Sequence, residues 1–436
     1  MSNNLNTRSG NISQFQIFSS MGSGSIDLRA GVTELNYYED VLKNTITLTI
    51  QVTEAGLGGN KGIVDNLPIR GGEKAEIVFS DANGRKRKFK GDNALYVNRV
   101  RNLTQGTQVD SYFIDFCSRE FLANEQSRVC KRYNGKISEN VKKILTENTS
   151  GDSGLKVPST KINKIDETMI DYNFIGNDKK PLYTCTWLAS KSIPAQSGKL
   201  GASAGFLFYQ THDGFNFRSI DGIFEENYKK TFVYNNTALK PEEYDGKILR
   251  YNINRDIDLH NNLLIGAYSN RTIFFDYYGM NYDVRNFTPS DQEGIKTGGK
   301  FPIDSVSDEF RLPVSRLMSR MLDIGTLPAG KSSKEELENW KNNPDQPTFD
   351  AAQTLVQSLM RYNQLFTIQV KLTLGGCFDL QAGDLIYCDF PELNDSSYNS
   401  ITGGIYMISS LAHEITPKTC FTYVTIVRDS YGRKSF

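Results

Sequence analysis

The hydrophobic pattern of this chain is dominated by a period of two. From Thr45 to Thr53 (TITLTIQVT), Ile46, Leu48, Ile50 and Val52 fall on one face and threonines on most of the other, the alternation of a strand with one side on a core. A Gly-rich loop follows, then LPIRGGEKAEIVFSDANGRKRKF, which reads as a strand, an Asn83-Gly84 turn and a basic return strand. ALYVNRVRN and VDSYFIDFCSRE complete the group. Near the C-terminus the same order returns as LFTIQVKLTL, FDLQAGDLIYCDF, GIYMISSLAH and CFTYVTIVRDS. Ile69-Arg70-Gly71-Gly72-Glu73 aligns with Leu380-Gln381-Ala382-Gly383-Asp384, and Leu95-Tyr96-Val97 with Ile405-Tyr406-Met407. Tyr96 and Tyr406 stand 310 residues apart, as do the ends of the final strands, Ser118 and Arg428. A shared offset is the mark of an internal duplication, here of one antiparallel barrel-like unit.

Between the copies the period changes. Ser118 to Val129 and Ser138 to Asn148 read as helices, the second with Ser138 as N-cap and Val141, Ile144 and Leu145 on one face. Val314, Leu317, Met318, Met321 and Leu322 form an apolar stripe at helical spacing, with Pro313 in the first turn and Gly325 past the end, so a helix is expected there too. Ala352, Leu355, Val356 and Leu359 predict another helix that leads into the second copy, after the charged surface segment KSSKEELENWKNNPDQP. GFLFYQTHDGFNFRSIDGIF (Gly205 to Phe224) alternates on both sides of Asp213-Gly214 and predicts a hairpin. A type I′ turn there pairs His212 with Phe215, Gln210 with Phe217 and Phe208 with Ser219. Three or four aromatics then share a face with His212, against Leu207, Tyr209, Arg218 and Ile220 on the other. Asp213 is read as a turn former, since no nucleophile or second base stands at a useful spacing.

Composition narrows the function. Fifty basic and fifty acidic residues cancel over 436 residues, so no global field draws the chain to nucleic acid or anionic membrane, and proteins are the expected partners. A hydrophobic content of 38% suits a globular chain of two to four domains. The first residues, MSNNLNTRSGNISQFQ, lack the apolar core of a signal peptide, and no stretch approaches a membrane span. Cytosolic synthesis is the expectation. The six cysteines are scattered without a C-x-x-C pair and are read as reduced core thiols. The N-x-S/T triplets, such as Asn102-Leu103-Thr104, follow from Asn richness alone.

Motifs for chemistry are mostly missing. GIKTGGKF (Gly294 to Phe301) has Phe301 where a phosphate-binding loop needs Ser or Thr, and Pro302 follows. Gly22-Ser23-Gly24 and Gly56-Leu57-Gly58-Gly59 lack the third glycine of a dinucleotide fingerprint. His212, His260 and His413 are far apart and without metal-ligand spacing, so no metal and no cofactor are expected. Asp379, Asp384 and Asp389 sit among turn and strand residues and are read as turn formers and solvent-facing positions rather than a hydrolytic pair. Arg85-Lys86-Arg87-Lys88 is the candidate basic strand, read as a solvated strand or a contact to an acidic protein surface. Any DNA contact there would be weak, non-specific and salt-dependent.

SREFLANEQSRVCKRYNGKISENVKKILTE after a barrel copy resembles the element that follows the first tube-like domain in baseplate hub proteins of contractile-tailed phages. LYTCTWLASKSIPA with GASAGFLFYQTHDGFNFRSI is similar to the helix and hairpin that open the second such domain, and LQAGDLIYCDFP with GGIYMISSLAHEITP resembles its closing strands. The resemblance implies an α+β, mainly antiparallel β fold with two duplicated tube-like β-barrel domains and helical or mixed inserted domains. It places a first barrel at residues 1–117, a connecting domain at 118–204, a discontinuous second barrel at 205–238 plus 348–436 and an insert at 239–347. It also implies a non-enzymatic homotrimer whose six barrels adapt a hexameric tail tube to a trimeric spike, a similarity shared with the hub part of type VI secretion spike proteins. Expected partners are the tail-spike protein, the tail-tube protein and other baseplate proteins, with at most transient, non-specific DNA passage, in a virion assembled in the host cytoplasm. Phe206, Phe208, Phe215, Phe217 and Arg218 are then the candidate ring or interface hairpin. A tail-associated cell-wall hydrolase and a receptor-binding adsorption protein are the competing readings.

Overall fold

The computed structural model describes residues 8–20, 22, 24–55, 69–105, 109–195, 205–234, 243–254, 259–276, 280–288, 297–302, 306–321, 333–391 and 399–433. Strands β1 (Asn11–Phe18), β2 (Ser25–Asp27), β3 (Val32–Asp40), β4 (Thr47–Ala55), β5 (Lys74–Ser80), β6 (Lys86–Phe89), β7 (Leu95–Gln105) and β8 (Val109–Ser118) form the first repeat. The connecting region carries helices Arg119–Gln126, Ile137–Thr146 and Pro181–Ala189 with β9 (Arg132–Tyr133), β10 (Ile162–Ile165) and β11 (Phe174–Ile175). The hairpin is β12 (Phe206–Thr211) and β13 (Gly214–Ser219). β14 (Lys230–Tyr234) and β15 (Lys247–Asn254) precede an inserted sheet of β16 (Asn270–Asp276), β17 (Asn281–Phe287) and β19 (Arg316–Met321), with β18 (Phe301–Pro302) between. Helix Ala351–Leu365 then leads to β20 (Ile368–Gly375), β21 (Leu385–Asp389), β22 (Gly404–Ile415), β23 (Cys420–Arg428) and β24 (Ser430–Tyr431). Strand outweighs helix by 45% to 22%, as the mainly β expectation requires.

One fourteen-stranded sheet runs through both repeats in the order β2-β1-β5-β7-β8-β4-β3-β22-β21-β14-β15-β20-β23, with β6 on β5 and β23 also on β22. The β22–β23 pairing closes the second repeat into a six-stranded barrel. Five strands correspond between repeats: β3-β4-β8-β7-β5 matches β15-β20-β23-β22-β21. The match extends to defects in the ladder. A bulge falls between Val97 and Arg99 in β7 and between Ile408 and Ser410 in β22. Another falls between Val32 and Glu34 in β3 and between Ile248 and Arg250 in β15. The turn before β5 and β21 repeats bond for bond: Gly72 N–H donates to Val97 O (2.7 Å) as Gly383 N–H does to Ile408 O (2.8 Å). Glu73 accepts from Arg70 N–H and Asp384 from Gln381 N–H, each at 2.8 Å. Bulges kink and twist a strand at a set point, and two in common are evidence of descent from one unit. They correct the alignment by one residue, because Val97 corresponds to Ile408 rather than Met407, while the final strands keep the offset of 310.

Four other expectations are revised. The apolar stripe from Val314 is strand β19, not a helix, pairing parallel with β16 from Asn270↔Arg316 to Phe275↔Met321. Leu322 and Gly325 lie outside the described residues. The stripe faces no core, with Leu317 69% and Met321 66% exposed, so backbone pairing decided the conformation over helical spacing. Ser138 is inside its helix, whose N-cap is Lys136, and its hydroxyl instead accepts from Thr168 N–H.

The hairpin turns on His212-Asp213, pairing Thr211 with Gly214, Gln210 with Phe215 and Phe208 with Phe217. This register differs by two residues from the expected one and therefore keeps the expected faces. The hairpin expected to open the second barrel stands outside the large sheet, in a three-stranded sheet with β10. Gly214 sets the turn: its φ is +132°, and a Cβ there would lie 2.3 Å from the Lys161 carbonyl oxygen. Gly214→Ala is expected to lower the unfolding free energy by about 2 kcal/mol or more. Gly84→Ala, at φ +80° in open space, should cost about 1 kcal/mol. Urea denaturation of both variants gives the comparison, and equal losses would show that the contact with Lys161 is not limiting.

Candidate functional site: the seam between the repeats

β22 is twelve residues long and changes partner at its bulge. Gly404 to Met407 pair with β21, whereas Ser410 to Ile415 pair antiparallel with β3 of the first repeat, from Ser410↔Asp40 to Ile415↔Leu35. Alternation then sends Leu411, His413 and Ile415 inward with Leu35, Tyr37 and Glu39, all 3% exposed or less. A glutamate at an inward strand position needs partners. Glu39 Oε1 accepts from Tyr37 Oη (2.6 Å) and His212 N–H (2.8 Å), and Oε2 from Ala382 N–H (2.8 Å). One carboxylate thus ties the first repeat, the hairpin turn and the second repeat. Burial raises its pKa above the ordinary value, against the pull of Arg87.

The candidate basic strand divides by alternation. Lys86 and Lys88 are exposed, and Arg87 is buried. Arg87 Nη2 donates to Leu380 O (2.6 Å). Arg85 donates to Asp81 (2.6 Å), to Gly376 O (3.0 Å) and to Asp245 (3.3 Å), and pairs with Asp379 (3.3 Å). The acidic surface that this strand meets is the chain's own second repeat. Next to it His413 is wholly buried, stacked on Tyr37 (5.9 Å) and against Phe378 (4.4 Å), with Nδ1 bonded to Thr422 Oγ1 at 3.0 Å. Burial first, and Arg87 second, hold its pKa well below the ordinary value.

The hairpin adds a second layer. Phe206, Phe208, Phe215 and Phe217 pack into the core of the connecting region, while Leu207, Tyr209 and Ile220 belong to a cluster with Leu385, Ile405 and Met407 of the second repeat. All four phenylalanines are buried at 3% exposure or less. Within the chain they are packing residues with no surface to offer a neighbour. Arg218, buried on the opposite face with Leu207, pairs with Glu226 (2.8 Å). In the turn, His212 Nε2 accepts from Lys88 N–H (3.1 Å), and the His212 ring, then Gln381, hold Asp213 well below the usual carboxylate range. Arg361, on helix Ala351–Leu365, is buried between Asp221 (3.0 Å) and Asp429.

Sequence reading missed Glu39, His413 and Arg361, because polar residues at inward positions look like solvent-facing ones until the register is known. Asp379, Asp384 and Asp389 are engaged by Arg85, Lys229 and Arg433. Among the described residues no three His, Cys, Asp or Glu side chains group as a metal site, and no helix is long and apolar enough to cross a membrane. The GIKTGGKF segment is described only from Thr297, where Gly298 N–H donates to Asp429 and Phe301 pairs with Tyr431.

No protein-family model matches the chain, and no curated protein matches it. Solved structures do. A tail protein from Neisseria meningitidis MC58 aligns over 95% of this chain and 96% of its own, with a TM-score of 0.53 and 9% identity. The 43 kDa tail protein of prophage MuSo2 from Shewanella oneidensis aligns over 96% and 98%, with a TM-score of 0.54 and 9% identity. This chain has the fold of these tail proteins. At such identity the likeness is one of architecture, which here is two β repeats, the second closed into a barrel, joined along β3 and β22. The outer face of that seam carries a groove of about 590 Å³ lined by residues such as Tyr38, Ala412, Tyr423, Lys371 and Asn252.

Glu39→Ala is expected to cost about 3–5 kcal/mol, since it strands buried donors and Arg87, against less than about 0.5 kcal/mol for Lys86→Ala. Chemical denaturation measures both, and a near-neutral Glu39→Ala would remove the carboxylate from the seam's energetics. His413 adds a pH dependence. Its folded pKa lies below its ordinary 6.5, so the unfolded chain takes the proton first and stability falls as pH drops below about 6.5, by up to about 1.4 kcal/mol per unit. The difference in stability between wild type and His413→Phe, followed from pH 7.5 to 5, should shrink on acidification, and a constant difference would mean that His413 titrates normally.

Proposed function

We propose that the chain is a structural hub subunit of a phage contractile-tail baseplate. The observation that carries this reading is the seam: two β repeats with common bulges, joined edge to edge, make each chain a two-unit arc of one continuous sheet. Three such chains supply six units. A trimer of this kind presents quasi-six-fold symmetry to a hexameric tail tube and true three-fold symmetry to a trimeric spike, which resolves the mismatch without chemistry. On this reading the ring encloses a channel through which DNA passes without being held.

The engaged carboxylates favour this role over a hydrolase, because Asp379, Asp384 and Asp389 are each tied up in an ion pair with a cation of the same chain, Arg85, Lys229 and Arg433. Partners on this reading are the chain itself, the spike, the tube protein and other baseplate proteins. Its place is the virion baseplate, after assembly in the host cytoplasm. The likeness to tail proteins supports a structural role in a tail.

Light scattering over a concentration series, with and without the spike protein, tests it. A trimer, or a monomer moving to trimer with concentration or spike, is expected. A monomer under every condition would overturn the hub.

A further inference from the structure

We propose that β7, beyond its bulge, pairs antiparallel with β15 of a second copy of this chain, repeating between chains the ladder that β3 and β22 form within one. The inference rests on the hub reading for its occupant, and on the internal duplication for its geometry. β7 corresponds to β22, and β3 to β15, with the bulges as fixed points. Inside the chain, the segment of β22 after its bulge is covered by β3. The corresponding segment of β7, from Arg99 to Gln105, pairs with β8 on one edge and, among the described residues, with no strand on the other. β15 is the counterpart of β3. It pairs with β20 along its length and with β14 only at Lys247 and Ile248, which leaves the edge from Tyr251 to Asn254 without a second strand among the described residues.

The two half-junctions are complementary ends of one interface. An open strand edge is a template for another strand, and edge addition supplies main-chain bonds in a defined register. Transferring the internal pairs fixes that register. Ala412↔Tyr38 becomes Arg101 opposite Asn254. Glu414↔Asn36 becomes Thr104 opposite Asn252, and Ile415↔Leu35 becomes Gln105 opposite Tyr251, after the second irregularity of β7 between Arg101 and Thr104.

Burial gives an independent indication. Leu35, Tyr37 and Leu411 are 3% exposed or less at the internal seam. Their counterparts Tyr251, Ile253 and Val100 are only partly buried, although they pack on the same two cores. These are inward positions of a barrel wall that lack the cover their equivalents have. Because donor and acceptor edges differ, the association is head to tail and propagates until it closes; with junctions alike within and between chains, three copies close a six-unit ring.

Paired cysteines test the register in the full-length chain, in a Cys130→Ser background, since Cys130 is the exposed thiol among six. Arg101→Cys with Asn254→Cys brings the two Cα atoms into disulfide range, about 4.4–6.8 Å. Gln369, opposite Asn254 on β20, is one strand further away at roughly 10 Å, so Arg101→Cys with Gln369→Cys is the out-of-register control. Mild oxidation followed by non-reducing electrophoresis should give linked dimer and trimer at least tenfold above the control and above either single variant. Light scattering on the same reduced samples separates the failures. Assembly without the in-register link overturns this junction and leaves the hub standing, whereas no assembly, with or without spike, overturns both.

Discussion

The ladder between β3 and β22 is the constraint on which the rest of the molecule depends. It has six residue pairs and joins segments nearly four hundred residues apart in the chain, so folding must bring the ends together before either repeat has its final neighbours. What makes the register unique is the pattern it buries. A slip by one residue would turn Leu411, His413 and Ile415 outward and bring Ser410, Ala412 and Glu414 in. The bulge between Ile408 and Ser410 sets where β22 leaves one partner for the other, and the same bulge in β7 shows that this device belonged to the unit before it was doubled.

Duplication supplied the frame, and the differences between copies supplied the asymmetry. The second repeat closes because β14 enters between β21 and β15, parallel to both. In the first repeat the strand beside β5 is β1, which runs antiparallel and carries β2 on its far edge. One unit is therefore a closed barrel and the other is completed by its neighbour across the seam. The connecting region stiffens that arrangement, because the hairpin has one face in the connecting core and the other against the second repeat. Two sets of large aromatic and aliphatic side chains, buried on opposite sides of two strands, leave it no freedom to act as a flap.

Much of this was legible in residues. The alternation from Thr45 to Thr53 and the paired turns at Gly72 and Gly383 gave the repeats, because a half-buried strand and a left-handed glycine both write themselves into sequence. Other features were not legible for identifiable reasons. Nine residues from Val314 fit a helical stripe, but β16 offered a parallel edge, and pairing outweighed propensity. The hairpin register moved by two because Gly214 sits against the Lys161 carbonyl, a contact no local pattern contains. Arg85 to Lys88 read as a surface run, since nothing in the tetrad says that Asp245, Asp379 and the Leu380 carbonyl, all far along the chain, would meet its inward side. Glu39 was hidden for the same reason.

The buried charges share one physical role. Arg361 stands between Asp221 and Asp429, Lys161 meets Glu120 at 2.7 Å, and Glu39 gathers three donors. A buried ion pair is a poor source of net stability, because desolvation takes back most of what attraction gives. Its use lies in penalising every wrong arrangement, as an unpaired buried charge costs several kcal/mol. Each of these groups also links segments distant in the chain: the hairpin's exit helix to the end of β23, the first connecting helix to the entry of β10, and the first repeat to the second. Their charges are committed to holding parts of one chain in fixed relation. At the seam itself Glu39 plays this part, since parting β3 from the second repeat would strand its carboxylate and the buried donors that it gathers before the ladder to β22 came apart.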